Sequence, residues 1–236
     1  MKPVSLIFAL FISFALQAQT EIWNNLLQKH VDKNGLVDYD GFAKDKSQLN
    51  SYLAYVNNTT PKTSWSVNKT KSFWINAYNA YTIRLILDNY PLQSITNIKQ
   101  QDKNAWEISF AKVGGKKYTL NHIEHQILRE QYKDPLIHVG VNCASISCPV
   151  LPNKAFTEKN INELLTQGMT DFINDKNRNN LSSDIVELSQ IFNWFQDDFT
   201  QKTDLITFIN QYSHIKINKD AKIVYKEYNW ALNNQK

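Results

Sequence analysis

The stretch from His138 to Leu151, HVGVNCASISCPVL, holds both cysteines of the chain, Cys143 and Cys148, with four residues between them. That spacing is open to several chemistries. A disulfide is the ordinary fate of two cysteines in an oxidising compartment, and closing so short a loop contributes only about 2 kcal/mol. A nucleophile is the second reading, since Cys143 leads into small residues, Ala144, Ser145 and Ser147, whose backbone amides can face an oxyanion or a bound carboxylate. A reversible dithiol is the third, although the spacing lacks the tight two-residue separation of dedicated redox motifs.

A nucleophilic thiol needs a base to hold it as thiolate, most often a histidine. His138 is nearest in sequence, but LIHVGVN reads as a buried strand. Five extended residues would then hold His138 about 16 Å from Cys143, on the opposite face with Gly140 and Asn142. His122 and His125 share a helical face with Arg129, away from Leu120, Ile123 and Ile127. His125 is therefore the candidate base, with Glu124 or a nearby amide fixing its tautomer. Asn76, Asn79, His122, His138, Asn142, Ser145 and Ser147 are the candidate substrate-binding residues. A zinc site from His122, His125, Cys143 and Cys148 has suitable ligand types, but the spacing fits no common zinc signature, so neither metal nor cofactor is expected.

The elements that must position these groups follow from pattern. KSFWINAYNAYTIRLILDNYP predicts a helix from about Lys69 to Asp88, apolar in nearly every direction and hence central. Asn76 and Asn79 inside it need hydrogen-bond partners. Helices are also predicted over Glu21 to Lys33, Gly41 to Val56 and Thr157 to about Asn174, with two short ones in QIFNWFQDDF and DLITFINQY. WEISFAKV and KKYTL around Gly114 and Gly115 read as a hairpin, DIVEL as a short strand and KIVYKEYNWALN as an edge strand. Asn121, with Glu124 three residues on, has the layout of a capping box. The expected fold is α+β: a helix-rich single domain with its central buried helix packed on a small, mainly antiparallel sheet.

Composition narrows the function further. With 26 basic and 22 acidic residues in 236, the net charge of +4 is too mild to suggest a nucleic-acid partner. MKPVSLIFALFISFALQAQT reads as a secretory signal peptide over residues 1–18, ahead of one domain over 19–236. Export to a periplasmic or extracellular location is expected, with no membrane span left after cleavage. No glycine-rich phosphate loop and no GxSxG elbow is present, which leaves nucleotide binding and serine hydrolase chemistry without support.

FWINAYNAYTI, IEHQILR, DPLIHVGVNCASISCP, IFNWF followed by DDF, and YNWALN together resemble the family known as domain of unknown function 547, from roughly residue 36 to residue 233. The resemblance implies no established activity. It implies that the Cys143 position is usually cysteine and that the Cys148 position is often serine, so that Cys143 acts without its neighbour. It also implies an aspartate where this chain has Asn229, between Tyr228 and Trp230. A looser similarity to the element order of papain-like and transglutaminase-like folds does not transfer their triad, because Asn76 stands where their cysteine would be. The sequence thus points to cysteine-dependent hydrolysis or acyl transfer on a peptide-like or amide substrate. The alternative is a non-catalytic module that binds a small molecule or peptide, stiffened by a Cys143 to Cys148 bridge.

Overall fold

The computed structural model describes residues 19–235. The predicted signal peptide lies outside these residues, and no described helix is long and apolar enough to cross a membrane. Residues 19–30 form α1. It is followed by α2 (Tyr39–Lys44), α3 (Lys46–Asn58) and the long α4 (Val67–Asn89). The single helix expected over Gly41 to Val56 is two, broken at Asp45. That carboxylate accepts from Lys29 Nζ at 2.6 Å and His30 Nε2 at 2.7 Å, and its backbone is not helical.

Ser66 caps α4 by accepting from the Lys69 N–H at 3.2 Å. The helix stops at Asn89, because Pro91 forces Tyr90 into an extended conformation. Sixteen of its 23 residues are buried, from Lys71 to Leu87. Such a helix has no solvent face to spare, so its two asparagines must find partners inside the protein.

Small strands follow: β1 (Lys99–Gln100) with β2 (Lys103–Asn104), and β3 (Ala111–Val113) with β4 (Lys116–Tyr118), both antiparallel. The second pair is the predicted hairpin, with Gly114 and Gly115 at positive φ. A π-helix (His122–Arg129) runs into α5 (Glu130–Tyr132), and a 3-10 helix covers Pro135–Val139. Then come α6 (Ile161–Asn174), β5 (Asn180–Leu181), β6 (Ile185–Leu188), α7 (Gln190–Trp194), α8 (Gln196–Phe199), α9 (Leu205–Asn210) and β7 (Lys222–Tyr225).

The fold is α+β and helix-rich, as expected. Among the described residues the strands form three separate small sheets, and in the order β5-β6-β7 the β6 to β7 pairing is parallel. The main partners of α4 are α2, α3, α6 and the π-helix. The hairpin reaches α4 through the Tyr81 hydroxyl, which donates to the Lys112 carbonyl.

LIHVGVN is not a strand. Asp134 accepts from the Leu136 N–H at 3.0 Å and Pro135 supplies the first turn, so the chain winds into the 3-10 helix. A run of buried apolar residues carries no period of its own, which is why a strand and a short helix look alike there. Gly140 follows, where a Cβ would come within 2.9 Å of Leu165 and 3.1 Å of Ile75, so glycine permits the close approach of α4 and α6.

Candidate active site

The cysteine loop is hung from α4. Asn79 donates from Nδ2 to the Gly140 carbonyl at 2.8 Å and accepts from the Asn142 N–H at 2.9 Å. Asn76 treats Phe156 the same way, at 2.7 and 3.0 Å. Each amide stands in for a missing strand partner. These two candidate binding residues therefore hold backbone, and neither lines the cavity beside Cys143. Asn142 continues the chain of support, donating to the Pro149 carbonyl and accepting from the Ala144 N–H, both at 2.9 Å. Ala144, buried, sits at φ +58, a left-handed conformation uncommon for a residue with a Cβ.

Both cysteines are free thiols. The bridge expected as the alternative is not formed; instead the Cys143 N–H donates to Cys148 Sγ at 3.1 Å. Cys143 Sγ lies 3.2 Å from the Ser145 hydroxyl and 3.2 Å from the Tyr228 hydroxyl, and Ser145 Oγ lies 3.1 Å from Tyr228. The Cys148 thiol lowers the pKa of Cys143 most, more than burial raises it, and the Ser145 and Tyr228 hydroxyls add to the effect. Burial pushes Cys148 and Tyr228 well up, so both stay protonated and able to donate to a Cys143 thiolate.

Five of the loop amides are already engaged, and among the described residues no hydrogen bond is formed by the Ser145 N–H. The Ile146 N–H donates to Ala231 and the Ser147 N–H to Asn229, while those of Cys143, Ala144 and Cys148 are taken within the loop. Ser147 Oγ also accepts from the Asn229 N–H at 2.9 Å. Arg178 secures the outer side, donating to the carbonyls of Cys148 and Ile146. At Asn229 the side-chain oxygen accepts from the Ala231 N–H at 2.9 Å. An amide oxygen does this as well as the carboxylate that the resemblance implies there.

Cys143 opens on a cavity of about 180 Å³ whose lining includes Tyr78, Glu124, His125, His138, Trp194 and Trp230. The π-helix sets the first two ionisable groups. The cap is Thr119, whose Oγ1 accepts from the His122 N–H at 2.9 Å; Asn121 makes no side-chain cap. Glu124 is consequently free of the capping role, and it is buried, accepting from the Tyr78 hydroxyl at 2.8 Å. The wider π turn also separates the two histidines expected on one face. His122 packs edge-on against Tyr118 outside the cavity, whereas His125 lines it. Among the described residues no group of three His, Cys, Asp or Glu side chains gathers as metal ligands.

Hydrogen bonding fixes the protons on both rings. Arg129 donates from Nη1 to His125 Nδ1 at 3.1 Å, and a guanidinium cannot accept. Neutral His125 therefore carries its proton on Nε2 and is a donor there. It is Arg129 that sets this tautomer, and the arrangement disfavours the base role expected for His125. His138 is the reverse case. Its Nε2 donates to Asp198 at 2.7 Å, leaving the lone pair of the neutral ring on Nδ1. Partial burial alone would raise Asp198, but the bonds from His138 and Arg129 (2.6 Å) outweigh it and hold the carboxyl well below the usual range. Phe195 stacks on His138 at 4.3 Å and carries the Arg129 guanidinium at 4.7 Å, locking the ring orientation.

A depressed carboxyl contributes stability above its unfolded pKa, and this is lost as pH falls through the folded value. Asp198→Asn is therefore expected to lower Tm at neutral pH, with the gap to the unaltered protein closing below about pH 4. A Tm series across pH measures it. A gap that stays constant with pH would contradict the ion-pair account.

Asp198, Arg129, Tyr78 and Tyr228 were not singled out from sequence as site residues. Asp198 sits in DDF and Tyr228 in YNWALN, both among the segments that carry the family resemblance, but spacing offers no cue that a residue 60 positions from His138 is its partner. No curated protein and no solved structure matches the chain. Residues 62–173, which include Tyr78, Glu124, His125, His138 and both cysteines, match the model of one family, described as protein of unknown function, DUF547.

Proposed function

We propose that this chain is a thiol-dependent hydrolase or acyl transferase, with Cys143 as nucleophile and an amide, ester or peptide-like substrate. The observation that carries the reading is a thiol held by two hydroxyls on a cavity that also contains a histidine oriented by a carboxylate. That is the nucleophile, base and orienting group of acyl-transfer chemistry, recognised by role.

The proton of Cys143 passes to His138 Nδ1, and Asp198 stabilises the imidazolium. The thiolate attacks the carbonyl carbon, and the developing oxyanion takes hydrogen bonds from donors such as His125 Nε2–H. Collapse expels the leaving group, which takes the proton from His138, and leaves a thioester on Cys143. Water or an acceptor nucleophile then loses a proton to His138 Nδ1 while attacking the thioester, which returns the thiol. No hydrogen bond joins His138 to Cys143 in the described structure, as is common before substrate tightens such contacts. Secretion, guided by residues 1–18, is part of the same proposal and rests on the charged and apolar pattern there.

The test is incubation with an activated aryl ester followed by intact-mass and peptide mapping. An acyl mass increment on Cys143 that decays with turnover is expected. Ester hydrolysis without any acylated Cys143, or no acylation at all across a panel of acyl groups, would contradict the proposal.

A further inference from the structure

We infer that the cavity beside Cys143 recognises an ammonium group on its substrate, with Glu124 as counter-charge and the Trp106, Trp194, Tyr228 and Trp230 cluster as aromatic wall. This rests on the thiol reading above and adds the chemical class of the group recognised.

Glu124 is only 8% exposed, yet its carboxylate is half used. One oxygen accepts from Tyr78, and among the described residues the other has no hydrogen bond. Burial, and then the Glu124 charge, push the Tyr78 hydroxyl up, so Tyr78 remains a donor and supplies no counter-charge. Arg129, the nearest guanidinium along the helix, is engaged with Asp198 and His125 and does not line the cavity. No lysine or arginine is among the described residues that line it. A carboxylate so placed is completed by a cation arriving with the ligand.

The aromatic part of the same lining suits the same guest. Trp230 packs against Trp106 at 5.6 Å, Trp194 at 5.9 Å and Tyr228 at 4.6 Å. Ring faces attract alkylammonium groups through their quadrupole, and a nearby carboxylate adds Coulomb attraction in a poorly hydrated site. Trp194 is 47% exposed, which places one indole where an incoming group meets it first. An anionic substrate would instead meet Glu124 and the Cys143 thiolate together. The fitting class is an acyl compound bearing a free amine or quaternary ammonium, such as the amino-terminal residue of a peptide.

Methanethiosulfonate reagents test this without knowing the substrate. The Cys143 thiolate attacks their sulfenyl sulfur, forming a mixed disulfide and releasing methanesulfinate. Rates are measured for trimethylammonium-ethyl, sulfonato-ethyl and neutral methyl reagents on the full chain. The cation-to-anion rate ratio is divided by the same ratio for 2-mercaptoethanol. A normalised ratio of about ten or more is expected, falling toward one in Glu124→Gln. Tetramethylammonium should also slow the neutral reagent in the unaltered protein, a readout that needs no variant to fold. Rapid neutral modification with a normalised ratio near one and no tetramethylammonium protection overturns the ammonium inference and leaves the thiol reading standing. Cys143 slower than a free thiol toward all three reagents overturns the thiol reading itself.

Discussion

Cys143→Ser is expected to lower turnover of an activated ester at least about 10³-fold, because a serine hydroxyl in the same place is a far weaker nucleophile at neutral pH. The substitution keeps a hydroxyl-sized group among Ser145, Tyr228 and Cys148, and Cys143 is a half-buried loop residue. Tm should therefore move by no more than a few degrees. Loss of activity with Tm retained separates chemistry from folding. Retained turnover in a folded Cys143→Ser variant would remove Cys143 from the mechanism and make its hydroxyl cradle a packing feature.

Asn79→Leu is expected to cost the most stability of any conservative-volume change near the site. Leucine fills the space but orphans two buried backbone groups, the Gly140 carbonyl and the Asn142 N–H. Each unsatisfied group costs about 1–3 kcal/mol, so a loss of about 4 kcal/mol follows, or roughly 8–16 °C in Tm for a chain of this size. The damage should spread to Cys143, since Asn142 in turn holds Ala144 and Pro149. Denaturant unfolding measures the first effect and thiol reactivity the second. A Tm within a few degrees of the unaltered protein would show that the loop finds other partners.

The parts of the fold that were legible in sequence are those with a period or a turn code. The α4 helix, the Gly114–Gly115 hairpin and the α6 helix declare themselves through apolar spacing, Pro91 and paired glycines. The need of Asn76 and Asn79 for partners was legible too, because a polar side chain in an all-round apolar helix has no solvent to turn to. What was not legible is how the chain winds between Thr119 and Val139. A π-helix and a 3-10 helix have residue patterns close to those of an α-helix and a buried strand, yet they redirect side chains. Those two segments carry Glu124, His125 and His138. Reading them as regular elements placed His138 on the far side of a strand and gave the base role to His125, whose Nδ1 is in fact occupied by Arg129. The Asp198 and Tyr228 contacts join positions 60 and 85 residues apart, a distance that no local pattern encodes.

The most direct test of the central claim, that Cys143 is a poised thiolate, is the pH dependence of its alkylation by iodoacetamide, followed by peptide mass mapping in protein prepared without reductant. Hydrogen bonds from Cys148, Ser145 and Tyr228 hold the Cys143 pKa below that of an ordinary thiol. Half-maximal reactivity should therefore fall below the usual value of about 8.5, with alkylation already measurable near pH 6 and Cys148, raised by burial, silent across the same range. A Cys143 that alkylates only above that ordinary value, or one already joined quantitatively to Cys148, would contradict the account.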